Sequence, residues 1–171
     1  TGIDPDNPSF APLPGSNNPF DWRRPGRGVP GNFECETGND PAFECSSKIV
    51  GARWYGEDFG NTVINEEYRS PRDRNGHGSH TAGTAAGNHG VDLTIKGQDL
   101  GKASGMAPAA KIAVYKALWQ TADGNGSGTT SGLVAAIDDA VADGVDVINY
   151  SVSGSRTSIV GPDEIAFLFA A

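Results

Sequence analysis

Apolar positions are sparse in this chain and gather into a few blocks, and those blocks predict its elements. Lys48-Ile49-Val50-Gly51-Ala52-Arg53-Trp54-Tyr55 is the first run with strand character. Lys111-Ile112-Ala113-Val114-Tyr115-Lys116-Ala117-Leu118 is nearly continuous, as expected of a strand buried on both faces. Between them, the small residues from Gly78 to Gly87 predict a tightly packed helix, and His89 to Lys102, with few apolar positions, predicts a loop. A glycine-rich link, Asp123 to Gly128, leads to a helix capped by Thr129 or Thr130 and running to about Asp143. Its Leu133, Val134, Ile137 and Val141 recur at helical spacing, and Gly144 stands where a left-handed C-terminal residue belongs. Val145-Asp146-Val147-Ile148-Asn149-Tyr150 predicts a further strand, which makes a strand–helix–strand unit and a parallel pair. Asp163 to Ala171 predicts the start of another helix. The fold class is α/β.

Residues from Asp4 to Phe43 carry most of the prolines and show no sustained period. They predict a long surface excursion, residues 5–46, pinned by Phe20, Trp22 and Phe33. A length of 171 residues predicts one domain and no second one, and both ends read as cuts from a longer chain.

Composition narrows the function classes. The 171 residues include 24 glycines and 11 prolines, and their formal net charge is −8. No basic stripe is available to neutralise phosphates, which argues against a nucleic-acid partner. No apolar run approaches the roughly 18 to 20 residues of a membrane span. The two cysteines, Cys35 and Cys45, lie in a loop-like segment. A local disulfide stands ahead of two free thiols and of a zinc pair, for which a second cysteine pair is missing. A disulfide implies an oxidising, extracellular type of compartment.

The chemistry concentrates in Asn75-Gly76-His77-Gly78-Ser79-His80-Thr81, which holds two of the three histidines. Histidine exchanges a proton near neutrality, and the flanking glycines let backbone or substrate come close. The pattern points to a general base at the start of a helix, His77. The rival reading pairs His77 and His80 as metal ligands, with His89 as an unsupported third.

Three stretches carry a family resemblance: Asn75 to Gly83, Gly105-Met106-Ala107-Pro108-Ala109-Ala110-Lys111-Ile112, and Asp143-Gly144-Val145-Asp146-Val147-Ile148-Asn149-Tyr150-Ser151. Together and in this order they resemble the subtilisin-like serine proteases. Cys35 and Cys45, followed by Lys48 to Arg53, are most similar to the secreted plant and bacterial subgroup. The resemblance implies that residues 1–171 are the N-terminal portion of a three-layer αβα catalytic domain with a parallel sheet, a polypeptide substrate, and peptide-bond hydrolysis by an Asp-His-Ser triad.

In that scheme His77 is the triad histidine. The aspartate is expected immediately before Thr1, with Asp4 as a poorer substitute, and the serine beyond Ala171. Ser104-Gly105-Met106-Ala107-Pro108 echoes the serine motif but precedes a strand, so Ser104 reads as a loop serine. Gly126-Ser127-Gly128 and Ser151-Val152-Ser153 match the two segments that flank an extended peptide. The expected partners are a peptide and the remainder of the catalytic domain, and the segment alone is expected to be inactive. No cofactor is identified, although the family leaves a structural calcium open. The alternative class is a non-catalytic peptide-binding module. His80 is expected to be hydrogen-bonded in the core, Asp138, Asp139 and Asp143 to form a solvated helix face, and the sequons at Asn125 and Asn149 to be unused.

Overall fold

β-Branched and aromatic residues with a buried face make Ile49–Trp54 the first strand, β1. His77–Ala86 forms α1, Val91–Ile95 and Gln98–Ala103 form β2 and β3, and Ile112–Lys116 forms β4. Two short strands follow, β5 at Trp119–Gln120 and β6 at Gly126–Ser127, then helices α2 at Thr130–Asp143 and α3 at Pro162–Ala170. These come from a computed structural model that describes residues 1–14, 33–56, 66–154, 157 and 160–171.

β1 and β4 pair in parallel, Ala52 opposite Val114 and Arg53 opposite Tyr115, so the crossover between them contains α1 and the β2–β3 hairpin. The fold is α/β, a parallel pair with helices. Ile3, Phe10, Phe43, Ile49, Ala52 and Val114 form one buried cluster. Two of these, Phe10 and Phe43, come from the proline-rich stretch expected at the surface, which therefore contributes to the core. Phe33 covers Gly51, where even a Cβ would lie 2.8 Å from the ring's own Cβ. Phe20 and Trp22 lie outside the described residues.

The two edges of this sheet differ. Residues 34–36 run along β1: Ala52 N donates to Glu34 O at 2.8 Å, and Glu36 N donates to Ala52 O at 2.9 Å. The Cys35–Cys45 disulfide fastens that strip. β4 pairs only with β1 among the described residues, and its other side faces a groove.

α2 behaves as its sequence requires. The Thr129 side chain accepts from Gly132 N, and Gly144 closes the helix in the left-handed region at φ 79°. Three expectations need correction. His89–Lys102 is not a loop: it folds into the antiparallel β2–β3 hairpin, turned by Lys96 and Gly97 at positive φ. Both faces of the hairpin are largely exposed, so no hydrophobic alternation marks it. Val145–Tyr150 is not a strand, because no described strand supplies the backbone partners a ladder needs. Asp143 is not solvated. It is 4% exposed, accepts from Tyr115 Oη at 2.7 Å and pairs with Arg53, while Asp139 accepts from Tyr55 Oη at 2.8 Å.

Candidate active site

The first residues of the chain lie beside residues 71–73. Ile3 N donates to Pro71 O and Asp73 N donates to Ile3 O, both at 3.0 Å. Arg72, with its guanidinium among Asp4, Asp6 and Asp40, holds the same contact from the outside. Behind it, Lys116 is fully buried. Its Nζ donates to Glu67 Oε1 at 3.0 Å, to Tyr68 O at 3.0 Å and to Arg72 O at 2.6 Å, using its whole donor capacity. Burial holds the Lys116 pKa below the ordinary lysine value, and the Glu67 carboxylate opposes that shift.

This frame positions α1. Gly76 turns the chain into the helix at φ 93°, a conformation costly for other residues. Asp73 then satisfies free amides at the helix entrance: Oδ1 accepts from Asn75 N at 3.1 Å and Gly76 N at 2.9 Å. Oδ2 accepts from Ser79 N at 2.9 Å and Ser79 Oγ at 2.7 Å. Gly78 crosses the chain start so closely that a Cβ there would lie 2.1 Å from Gly2 O. Gly78 N donates to Thr1 Oγ1 at 2.7 Å.

His77 is the first residue of α1, exposed, and lines the groove together with Thr1, Gly2 and Gly78. The groove has a volume of about 1590 Å³. β4 provides one part of its lining, apolar residues of α1 and α2 a second, and residues 145–152 a third. Ser151 and Val152 therefore share a cavity with His77, whereas Ser153 is exposed outside its lining. Gly126 and Ser127 are exposed in β6 and pair with β5. A Cβ on Gly126 would meet Thr1 Cγ2 at 3.0 Å, which puts this segment at the same end of the molecule as the chain start. Gly128 leaves no room for a side chain, since its Cβ would lie 2.1 Å from Ala117 O. Asn75, two residues before His77, ties the two regions together by donating from Nδ2 to Gly124 O at 3.0 Å.

The other histidines stand apart. His80 is exposed rather than bonded in the core, because its place on α1 turns it away from the packed face. His89 Nδ1 lies 3.0 Å from Ser104 Oγ at the base of the hairpin. Among the described residues, no group of three or more His, Cys, Asp or Glu is placed to hold a metal ion. The gathered carboxylates of Asp4, Asp6 and Asp40 are taken by Arg72. Asp73 is the residue that sequence reasoning missed. An acidic residue ahead of the helix was its only signal, and a sequence full of aspartates hides that signal.

The parallel α/β fold thus carries an exposed histidine at a helix start, in the lining of a groove. The subtilase family model (Peptidase_S8) matches residues 1–165, and the chain belongs to this family. It is 42% identical over 162 residues to Subtilisin-like protease SBT2.2 of Arabidopsis thaliana, covering 91% of this chain and 18% of that protein. It is also 40% identical over 181 residues to Subtilisin-like protease SBT2.1 of the same plant, covering 99% of this chain and 20% of the relative. The chain thus spans about a fifth of the length of these relatives. No described helix is long and apolar enough to cross a membrane.

Proposed function

We propose that this chain is the histidine-bearing part of a serine endopeptidase, with His77 as the group that takes the serine proton and returns it to the leaving amine. The observation that carries the reading is the exposed His77 at the head of α1, held at the rim of a groove that also contains Ser151 and Val152. An extended peptide would lie between Gly126-Ser127-Gly128 and Ser151-Val152-Ser153, gaining affinity from backbone hydrogen bonds. The exposed β6 edge supports the first half of that placement. The remainder of the catalytic domain is the second partner: the aspartate would stand immediately before Thr1, and the part seated against the free side of β4 would bring the serine to the imidazole. The disulfide supports secretion, where such bonds persist.

Two measurements test this reading. In the longer protein that contains this segment, His77→Ala is expected to lower kcat for peptide hydrolysis by about 10⁴ or more, since triad members act as a unit. Retained hydrolysis would exclude the role. The 171-residue chain alone is expected to show no burst with a fluorophosphonate probe, and stoichiometric labelling would refute the division of roles.

A further inference from the structure

We infer that Asp73 and Ser79 form a clamp that sets the position of His77 relative to residues Thr1–Asp4, making both positioning residues for the reaction proposed above, on which this inference rests. Four hydrogen bonds converge on one carboxylate. Two come from the amides that lead into α1, Asn75 N and Gly76 N, and two from Ser79 within its first turn. The bonded residues lie on both sides of His77, so the carboxylate fixes the turn of helix that carries the imidazole.

Asp73 and Ser79 also reach the chain start. Asp73 N donates to Ile3 O at 3.0 Å, and Ser79 Oγ accepts from Asp4 N at 3.0 Å while donating to Asp73. Gly78 N on Thr1 Oγ1 adds a third bond, so residues 1–4 are tied to Asp73 and to the first turn of α1. Burial alone would raise the Asp73 carboxyl pKa, but the bonds from Ser79 and Gly76 outweigh it and hold the pKa below the usual carboxylate value. Asp73 therefore stays ionised through the neutral range. The nearby cations make their ion pairs elsewhere, Arg72 with Asp4, Asp6 and Asp40 and Lys116 with Glu67, although Lys116 is also close enough to feel the Asp73 charge.

The geometry makes a specific demand. A triad needs its orienting carboxylate and imidazole held to a fraction of an ångström. A carboxylate carried next to Thr1 would be held to His77 by this clamp together with the Gly78 N–Thr1 Oγ1 bond. A helix cap acting only on stability would contact α1 and nothing at the chain start.

The test uses the longer protein that contains this segment, with Asp73→Asn, Ser79→Ala, Ser79→Thr and the double variant Asp73→Asn/Ser79→Ala. Asparagine accepts through one oxygen only, so it cannot serve Gly76 and Ser79 together. Each of the two disruptive single variants is expected to lower kcat about tenfold with KM within about twofold. The double variant is expected to cost little more than either, because both belong to one unit. Ser79→Thr, which keeps the hydroxyl, is expected to restore most of what Ser79→Ala loses.

An independent readout is the NMR spectrum of the His77 ring and of the Thr1–Asp4 backbone. Asp73→Asn and Ser79→Ala are each expected to shift both sets of signals together, because the clamp joins them, and Ser79→Thr to leave both close to wild type. Unchanged kcat in Asp73→Asn, fully additive losses, or His77 signals that shift while those of Thr1–Asp4 stay as in wild type would overturn the clamp. If His77→Ala leaves hydrolysis intact, the proposed function fails while the coupled shifts still decide the clamp.

Discussion

The two sides of this molecule obey different rules. Around the chain start, polar groups are buried and nearly all satisfied: Lys116 and Glu67 face each other with side chains 0% and 1% exposed, and Asp73 accepts four hydrogen bonds. Elsewhere, apolar groups stand in the open. Val147 is 86% exposed, Leu168 73% and Phe169 83%, and residues 145–152 line a groove that no described strand fills. One side is finished within these residues, and the other is shaped for something more. His77 stands where the two meet: the finished side holds its helix, and the residue itself lines the groove.

The largest expected effect strikes the finished side. Glu67→Ala leaves Lys116 buried without its counter-charge and also orphans Gln120 N, which donates to Glu67 Oε2 at 2.7 Å. Breaking one half of a buried pair costs about 3–5 kcal/mol, so denaturant unfolding should show a loss of that size. Replacing both members, as Glu67→Leu with Lys116→Met, should recover much of it. A loss below about 1 kcal/mol for Glu67→Ala would mean that water reaches the pair and that the two sides differ less than the exposures indicate.

A medium effect is pH-dependent. The Asp73 pKa is depressed in the folded chain, so the unfolded chain binds this proton more readily. The stabilisation is present in full above the ordinary aspartate value of about 3.9 and is lost as pH falls through the lower folded value. The stability difference between wild type and Asp73→Asn should therefore be about 2 kcal/mol near neutrality and should narrow below that value, measured by urea unfolding across pH. A difference that persists into strong acid would place its origin in packing rather than in charge.

How much of this was legible beforehand follows the same division. α2 was readable from its helical period, β1 and β4 from their apolar runs, and α1 from its run of small residues. The β2–β3 hairpin was hidden by the converse, since two exposed faces impose no alternation. Asp143 looked like one more surface acid in a helix, and only the meeting of Arg53 and Tyr115 from two other strands makes it a buried one. His77 was visible because glycines and histidines this close together are rare outside chemistry, whereas Asp73 depended on contacts spread from Ile3 to Ser79. Local patterns predict local partners, and sites built across the chain leave little trace.

The smallest expected effect is the most discriminating between the two sides. Val147 lies in a stretch whose apolar pattern demands a strand, yet it is 86% exposed. In the 171-residue chain, Val147→Asp removes no buried surface, so unfolding free energy should change by no more than about 0.5 kcal/mol. In the longer protein, a partner strand on the free side of β4 would let residues 145–150 pair and bury Val147. The same substitution should then cost about 2 kcal/mol or more, through the unpaired charge. Equal and small effects in both would mean that the groove stays open in the whole protein, and the apolar pattern of Val145 to Ile148 would need another explanation. A large effect in the short chain alone would show that the segment is already packed there. The contrast between the two lengths therefore measures how far the open side is a property of the segment and how far of the boundary drawn around it.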